Sequence, residues 1–149
     1  MDVLVINSSP YLENSTTLKL TKKFLEGMNE TAEIVNTAEL NAAPCRACYA
    51  CWTKTGGKCV QKDKASEVLE KMRNAELLIW SVPLYCYSAP SHCKALMDRT
   101  LCFNSPEIYV DKNGLSHHYG YEDGSKKRFL SQAEGCPMWK EISTGFCFS

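Results

Sequence analysis

A doubly wound α/β sheet is the fold this sequence predicts, and three observations carry it. Val3-Leu4-Val5-Ile6 and Leu77 to Val82 are strand-like apolar runs, each closed by turn residues. Segments with apolar side chains at helical spacing follow both runs and also precede the second. The resulting order, strand, helix, strand, helix, strand, helix, calls for parallel strands joined by right-handed crossovers. A length of 149 residues suits one such domain and leaves no room for two independent cores.

Val3 to Ile6 is β-branched and apolar without alternation, as expected of a strand buried on both faces, and Asn7-Ser8-Ser9-Pro10 stops it. Leu18, Phe24, Leu25 and Met28 then recur near helical spacing behind Asn14 or Ser15, either of which offers an N-cap oxygen. Ala32 to Val35 reads as a short second strand, and Asn36 to Pro44, which has no period, as a loop. Asp63 caps a helix whose apolar residues Ala65, Val68, Leu69 and Met72 fall at i, i+3, i+4 and i+7. Leu77 to Val82 is the third strand, closed by Pro83, and a helical pattern follows through Ala95, Leu96 and Leu101. Asn104 to Ser125 is polar and rich in Tyr, Gly and His, a long excursion before a fourth strand near Arg128 to Leu130. There is no internal repeat or low-complexity tract.

Seventeen basic and 17 acidic residues give a net charge of +0, so no general field favours nucleic acid or anionic lipid. Neither kind of partner is expected. The first apolar run is too short for a signal peptide or a membrane span, which predicts a soluble, cytoplasmic chain. Nine cysteines are too sparse for a disulfide scaffold, and a reducing cytosol keeps them as thiols or metal ligands. Cys86, Cys93 and Cys102 are read as small buried apolar residues. His92, His117 and His118 lie outside any metal-ligand spacing and are expected at the surface; Lys94, Asp98 and Arg99 are read as structural or dimer-interface residues, or more simply as a solvated helical face.

In open parallel sheets ligands bind beyond the carboxyl ends of the strands, which is where Asn7 to Thr17 lies. Its stretch from Ser8 to Thr17 offers five Ser and Thr hydroxyls, a phenol, a side-chain amide and the open amides of a helix N-terminus. Walker lysine and Gly-x-Gly-x-x-Gly are both absent, which disfavours a nucleoside triphosphatase or an ordinary dinucleotide site and leaves a monophosphate. Three or four hydrogen bonds to a charged group, about 1.5–3 kcal/mol each, suffice to fix one without lysine. The same residues also suit a turn that only caps a helix.

Cys45, Cys48, Cys51 and Cys59 have the spacing C-x2-C-x2-C-x7-C, four thiols within fifteen residues. Two-residue gaps turn successive sulfurs toward one centre, and Gly56-Gly57 lets the chain fold back to present the fourth. A cubane iron-sulfur cluster is the sharpest reading, with Arg46, Lys54 and Lys58 offsetting its negative charge. Structural zinc and a metal-free cysteine-rich loop are the alternatives. Pro83 to Pro90, at the same edge of the sheet, mixes aromatic rings with small polar residues and suits a flat heterocycle.

Three motifs in this order, Ser-Ser-Pro…Asn-Ser-Thr, Cys-x2-Cys-x2-Cys-Trp…Gly-x-Cys and Ser-Val-Pro-Leu-Tyr…Lys-Ala-Leu-Met-Asp-Arg, cover residues 1 to about 103. They resemble the NADPH-dependent FMN reductase family, and within it the iron-sulfur flavoproteins. The resemblance implies a flavodoxin-like fold in which Ser9, Asn14, Ser15 and Thr16 hold the FMN phosphate. Pro83, Leu84, Tyr85 and Tyr87 would frame the isoalloxazine ring, with main-chain amides of that loop bonding its edge. It further implies a [4Fe-4S] cluster on Cys45, Cys48, Cys51 and Cys59, NAD(P)H or a ferredoxin as electron donor, and a homo-oligomer; no side-chain acid or base is required. The alternative from a different class is a non-catalytic metal-binding module in which the same cysteines hold zinc.

A complete flavodoxin-like sheet has five strands in the order 2-1-3-4-5, whereas this chain presents three clear strands and a weaker fourth. Residues 1–130 are thus expected to form an incomplete FMN-binding domain with a cysteine-rich insert at 44–60, and 131–149 a divergent tail. Met138-Trp139 must be encoded ATGTGG, and a shifted frame around it would restore a family-like run, so a frameshift or truncation is the expectation. The sheet edge left open would be covered by a partner chain, or FMN would be held weakly.

Overall fold

The computed structural model describes residues 1–120 and the strand Arg128–Gln132. Most of the divergent tail, with Cys136, Cys147 and the expected frame change, lies outside the described residues. β1 (Val3–Asn7) leads through a short 3-10 turn to α1 (Thr16–Met28), then β2 (Glu33–Asn36) and the one-turn α2 (Thr37–Leu40). The cysteine segment carries a second single turn, α3 (Ala50–Thr53), before α4 (Lys64–Asn74), β3 (Leu77–Ser81) and α5 (Ser91–Arg99). Another 3-10 turn leads into β4 (Asn104–Val110), β5 (Ser116–Gly120) and β6 (Arg128–Gln132).

The main sheet is parallel in the order β2-β1-β3-β6, which reproduces four strands of the doubly wound 2-1-3-4-5 pattern. Alternation along β1 and β3 sorts side chains onto two faces. Val3, Val5, Leu77 and Ile79 pack with Leu18 and Leu25 of α1 on one face. Leu4, Ile6 and Leu78 pack on the other with Ala65, Val68, Leu69 and Met72 of α4 and Leu96 of α5. Every residue of β1 is buried, because helices cover both faces. The cysteine segment joins the second core through Cys51, Trp52 and Cys59.

The helices begin where side-chain oxygens meet free amides. Ser15 Oγ accepts from Leu18 N at the start of α1, and Asp63 and Ser66 bond each other's backbone amides at the start of α4. Asn29, left-handed at φ 55°, ends α1 by donating its amide to Glu26 and Leu25 carbonyls.

Two stretches expected to be irregular contain regular elements. Asn36 to Pro44 contains α2, held where Thr37 Oγ1 donates to the Asn7 carbonyl at 3.4 Å. Asn104 to Ser125 contains an antiparallel hairpin, β4 with β5, whose turn is built on Asp111: its carboxylate accepts from the amides of Asn113 and Leu115. Those contacts, with His117 closing on the same carboxylate, hold Asp111 below its usual carboxylate range. Leu78→Ala, which empties a buried core position, is expected to cost about 2–5 kcal/mol. Exposed Leu115→Ala should stay within about 0.5 kcal/mol; urea midpoints measure both.

Candidate functional site

Parallel pairing aligns Asn7 with Ser81, the last residues of β1 and β3, so the chain leaves both strands at one edge and side by side. The Ser8 amide donates to the Ser81 carbonyl at 2.9 Å, extending the ladder one step into the loops. His92, at the start of α5, brings Nε2 to 3.0 Å from the Ser8 carbonyl and ties the second loop's exit to the first loop's base. Asn7 is wholly buried: its Nδ2 donates to Asn36 Oδ1 at 2.8 Å, and its Oδ1 accepts from the Ser9 amide at 3.3 Å.

All four residues expected at the phosphate lie on this first loop or the start of α1. Ser9 and Ser15 are buried, their Oγ atoms accepting from the amides of Tyr11 and Leu18. Each hydroxyl keeps its own proton to donate. Asn14 and Thr16 are exposed beside them, and the first amides of thirteen-residue α1 lack intrahelical acceptors.

The second loop holds the other four. Pro83 and Leu84 are half-buried, whereas Tyr85 and Tyr87 are exposed. Tyr85 and Ser88 exchange amide-to-carbonyl bonds of 2.9 Å around a tight turn at Cys86 and Tyr87, which are left-handed at φ 46° and 62°. Cys86 is therefore exposed at a turn apex and not buried as its neighbours suggested. At the end of β3, buried Ser81 Oγ has no hydrogen-bond partner among the described residues. A buried hydroxyl left unpaired at the ligand edge of the sheet fits a polar group bound there.

The second site is a cleft lined by Cys45, Cys48, Cys51, Cys59, Cys102 and Arg99. Ala47 and Tyr49 are left-handed at φ 49° and 51°, while Cys48 between them is not. Positive φ at ordinary residues on both sides of Cys48 turns the chain sharply twice around the second thiol. Gly57, at φ 90°, donates to the Cys51 carbonyl at 2.8 Å and returns the chain toward Cys59. Four thiols on one cleft are the donor type a thiolate-bound metal group needs, although among the described residues no three such side chains stand close enough to ligate an ion as they are. Burial raises the Cys51 thiol above its usual range, and neighbouring thiols push the same way. Deeper burial carries Cys102 to about 11.

Arg99 corrects the solvated helical face expected for it. It is 1% exposed, and its guanidinium donates to Asp63 Oδ2 at 2.5 Å, Ser66 Oγ at 3.1 Å, the Gln61 carbonyl at 3.3 Å and Cys59 Sγ at 3.5 Å. Burial opposes its charge, yet bonds to Asp63 and Cys59 outweigh that and raise its pKa. The Arg99 hydrogen bond holds the Asp63 carboxyl below its ordinary 3.8, against the smaller effect of burial. Lys94 and Asp98 do form an exposed pair on the same helix. Sequence reading missed Asn7 and Arg99 as site residues, since each looks ordinary until the fold buries it. Cys93 is buried beside Ser8, and its thiol is pushed up to about 11.

Fold and loops together define a doubly wound protein with a ligand edge at its β1/β3 switch point. The chain matches the family described as "Flavodoxin-like fold" over residues 1–139 and belongs to it. It is 35% identical over 103 residues to an iron-sulfur flavoprotein of Methanocaldococcus jannaschii, covering 67% of this chain and 52% of that one. An iron-sulfur flavoprotein of Archaeoglobus fulgidus is 32% identical over 101 residues, 67% of this chain and 49% of that protein. The chain thus spans about half the length of these relatives. Among solved structures, an FMN-dependent NADH-azoreductase from Bacillus anthracis superposes with TM-score 0.58 at 23% identity, covering 97% of this chain and 75% of its own. An NAD(P)H:quinone oxidoreductase from Methanothermobacter marburgensis gives TM-score 0.62 at 17% identity, with 96% and 72% covered. These structures share the fold, and the family resemblance read from the motifs holds. No helix among the described residues is long and apolar enough to cross a membrane.

Asp63 also sets a pH dependence. Its folded pKa lies below the unfolded value, so its contribution is full well above pH 3.8 and is lost as pH falls through the depressed value. Urea midpoints measured from about pH 7 to about pH 3 should fall, and Asp63→Asn should flatten part of that slope while lowering stability at neutral pH.

Proposed function

We propose that this chain is an FMN-dependent oxidoreductase that takes electrons from NAD(P)H or a ferredoxin and passes them to a [4Fe-4S] cluster on Cys45, Cys48, Cys51 and Cys59. The observation that carries it is the junction of two loops at Ser8 and Ser81, where the buried Ser81 hydroxyl has no partner among the described residues. FMN, when bound, accepts electrons in pairs and releases them singly.

The chain's own part is to bind and orient. Ser9, Asn14, Ser15 and Thr16, with the first amides of α1, hold the phosphate, about 1.5–3 kcal/mol for each bond to the charged group. Pro83, Leu84, Tyr85 and Tyr87 frame the ring and keep water from it, and amides of the same loop donate to its edge. α5 leaves the second loop at Ser91 and ends on Arg99 in the cysteine cleft, so one helix of nine residues, about 14 Å long, joins the two sites. The names of the two archaeal relatives support the pairing of flavin with cluster. A cytoplasmic homo-oligomer accords with free thiols and with Leu20, Phe24 and Met28, an apolar stripe left exposed along α1.

Titration with FMN is expected to quench its fluorescence and raise the melting temperature. The double variant Ser9→Ala/Thr16→Ala should weaken affinity at least tenfold, about 1.4 kcal/mol, with the fold intact by circular dichroism. Unchanged fluorescence and melting temperature on FMN addition would refute the flavin assignment. Anaerobic reconstitution should give about four irons and four sulfides per chain with a broad brown absorbance. A colourless protein holding one zinc would instead establish the zinc module.

A further inference from the structure

Arg99 is spread across four kinds of partner, and its Nε–H is left without one among the described residues. Its side chain is 0% exposed. One terminal nitrogen meets the Asp63 carboxylate; the other reaches Ser66, the Gln61 carbonyl and the sulfur of Cys59. Its third donor edge, Nε–H, is buried with no acceptor among the described residues, although Arg99 lines the cleft that the four thiols share. A guanidinium serving only to join α4 and α5 needs no sulfur, since Asp63, Ser66 and the Gln61 carbonyl already tie the two helices. This one instead lines the thiol cleft, contacts the Cys59 sulfur through one arm and keeps a further buried donor without an acceptor among the described residues, a charge that an anionic sulfur-rich group would balance.

We propose that Arg99 is a positioning residue and counter-cation for the metal centre at the cysteine cleft, fixing the Cys59 sulfur through its second arm and making the thiolate-bound cluster easier to reduce. The inference rests on the cluster reading above. A fixed positive charge and a hydrogen bond to a ligand sulfur both favour the reduced cluster, which carries one more negative charge. Asp63 acts in the opposite sense, since its carboxylate neutralises part of the guanidinium charge. The two residues should therefore tune the centre in opposite directions, even though loss of either loosens the same junction of α4 and α5.

The full chain would be reconstituted anaerobically with ferrous iron and sulfide as wild type, R99M, R99K and D63N. Iron and sulfide content, the half-life of iron release to a chelator, and the midpoint of an electron-paramagnetic-resonance redox titration would be read for each. R99M is expected to reduce the equilibrium constant for one-electron reduction about tenfold, a midpoint about 59 mV lower. R99K, which keeps the charge but cannot hold carboxylate and sulfur at once, should stay near the wild-type midpoint and release iron several times faster. D63N should move the midpoint upward. An unchanged R99M midpoint, or R99M and D63N shifting the same way, overturns the inference while leaving the cluster in place. Should R99M not fold by circular dichroism, R99K and D63N decide: unchanged iron release in the first, or no rise in the second, overturns it. Wild-type chain that takes up no iron and sulfide overturns the cluster reading and this inference together.

Discussion

Where β1 and β3 end, the pairing of Asn7 with Ser81 sets two chain reversals side by side, and the candidate ligand edge depends on that register. Asn7 carries much of the burden. Its wholly buried amide donates to Asn36 at the end of β2 and accepts from Ser9 at the base of the first loop, while its carbonyl receives the Thr37 hydroxyl. The ends of β1 and β2, the base of the first loop and the start of α2 are thereby tied through one residue. Leaving one of those buried partners without its bond would cost about 1–3 kcal/mol, more than an exposed loop contact contributes. Slipping β1 by one residue against β3 would also exchange the two faces of β1 and send Val5 to the side opposite Ile79, out of the core they share.

The cysteine cleft depends on a different constraint, the sign of φ. A stretch of ordinary residues with left-handed Ala47 and Tyr49 costs backbone energy at each, about 1–3 kcal/mol, and persists only when its surroundings fix it. Packing supplies part of that: Cys51 and Trp52 sit against the second core, and the Trp52 ring lies 5.0 Å from Tyr49 and 5.7 Å from His118. A backbone fixed in this way before anything binds there lessens the ordering a ligand must impose.

Local signals were enough for most of the fold. Apolar runs marked β1 and β3, helical spacing marked α1 and α4, and Ser15 and Asp63 marked where those helices begin, because each depends on residues a few positions apart. The hairpin was missed for the opposite reason. Pro106 and a run of polar residues hide its period, although Asn113-Gly114 between Ile108-Tyr109-Val110 and Leu115-Ser116-His117 is a hairpin signal that composition obscured. At the site, hydroxyls and thiols could be found by type and spacing. Arg99 could not, since its meaning comes from Asp63 and Cys59, brought to it from 36 and 40 positions away. His92, expected at the surface, likewise gains its role by reaching Ser8 from 84 positions along the chain.

β4 and β5 form a two-stranded sheet of their own, with Ile108 and Val110 open to water and Tyr109 stacked on His117 across the strands. Such a ribbon opens at far less free energy than strands enclosed by helices on both faces. Deuterium uptake would accordingly divide this molecule in two, with the ribbon's amides labelled early and those of β1 and β3 retaining their protons until the whole domain unfolds.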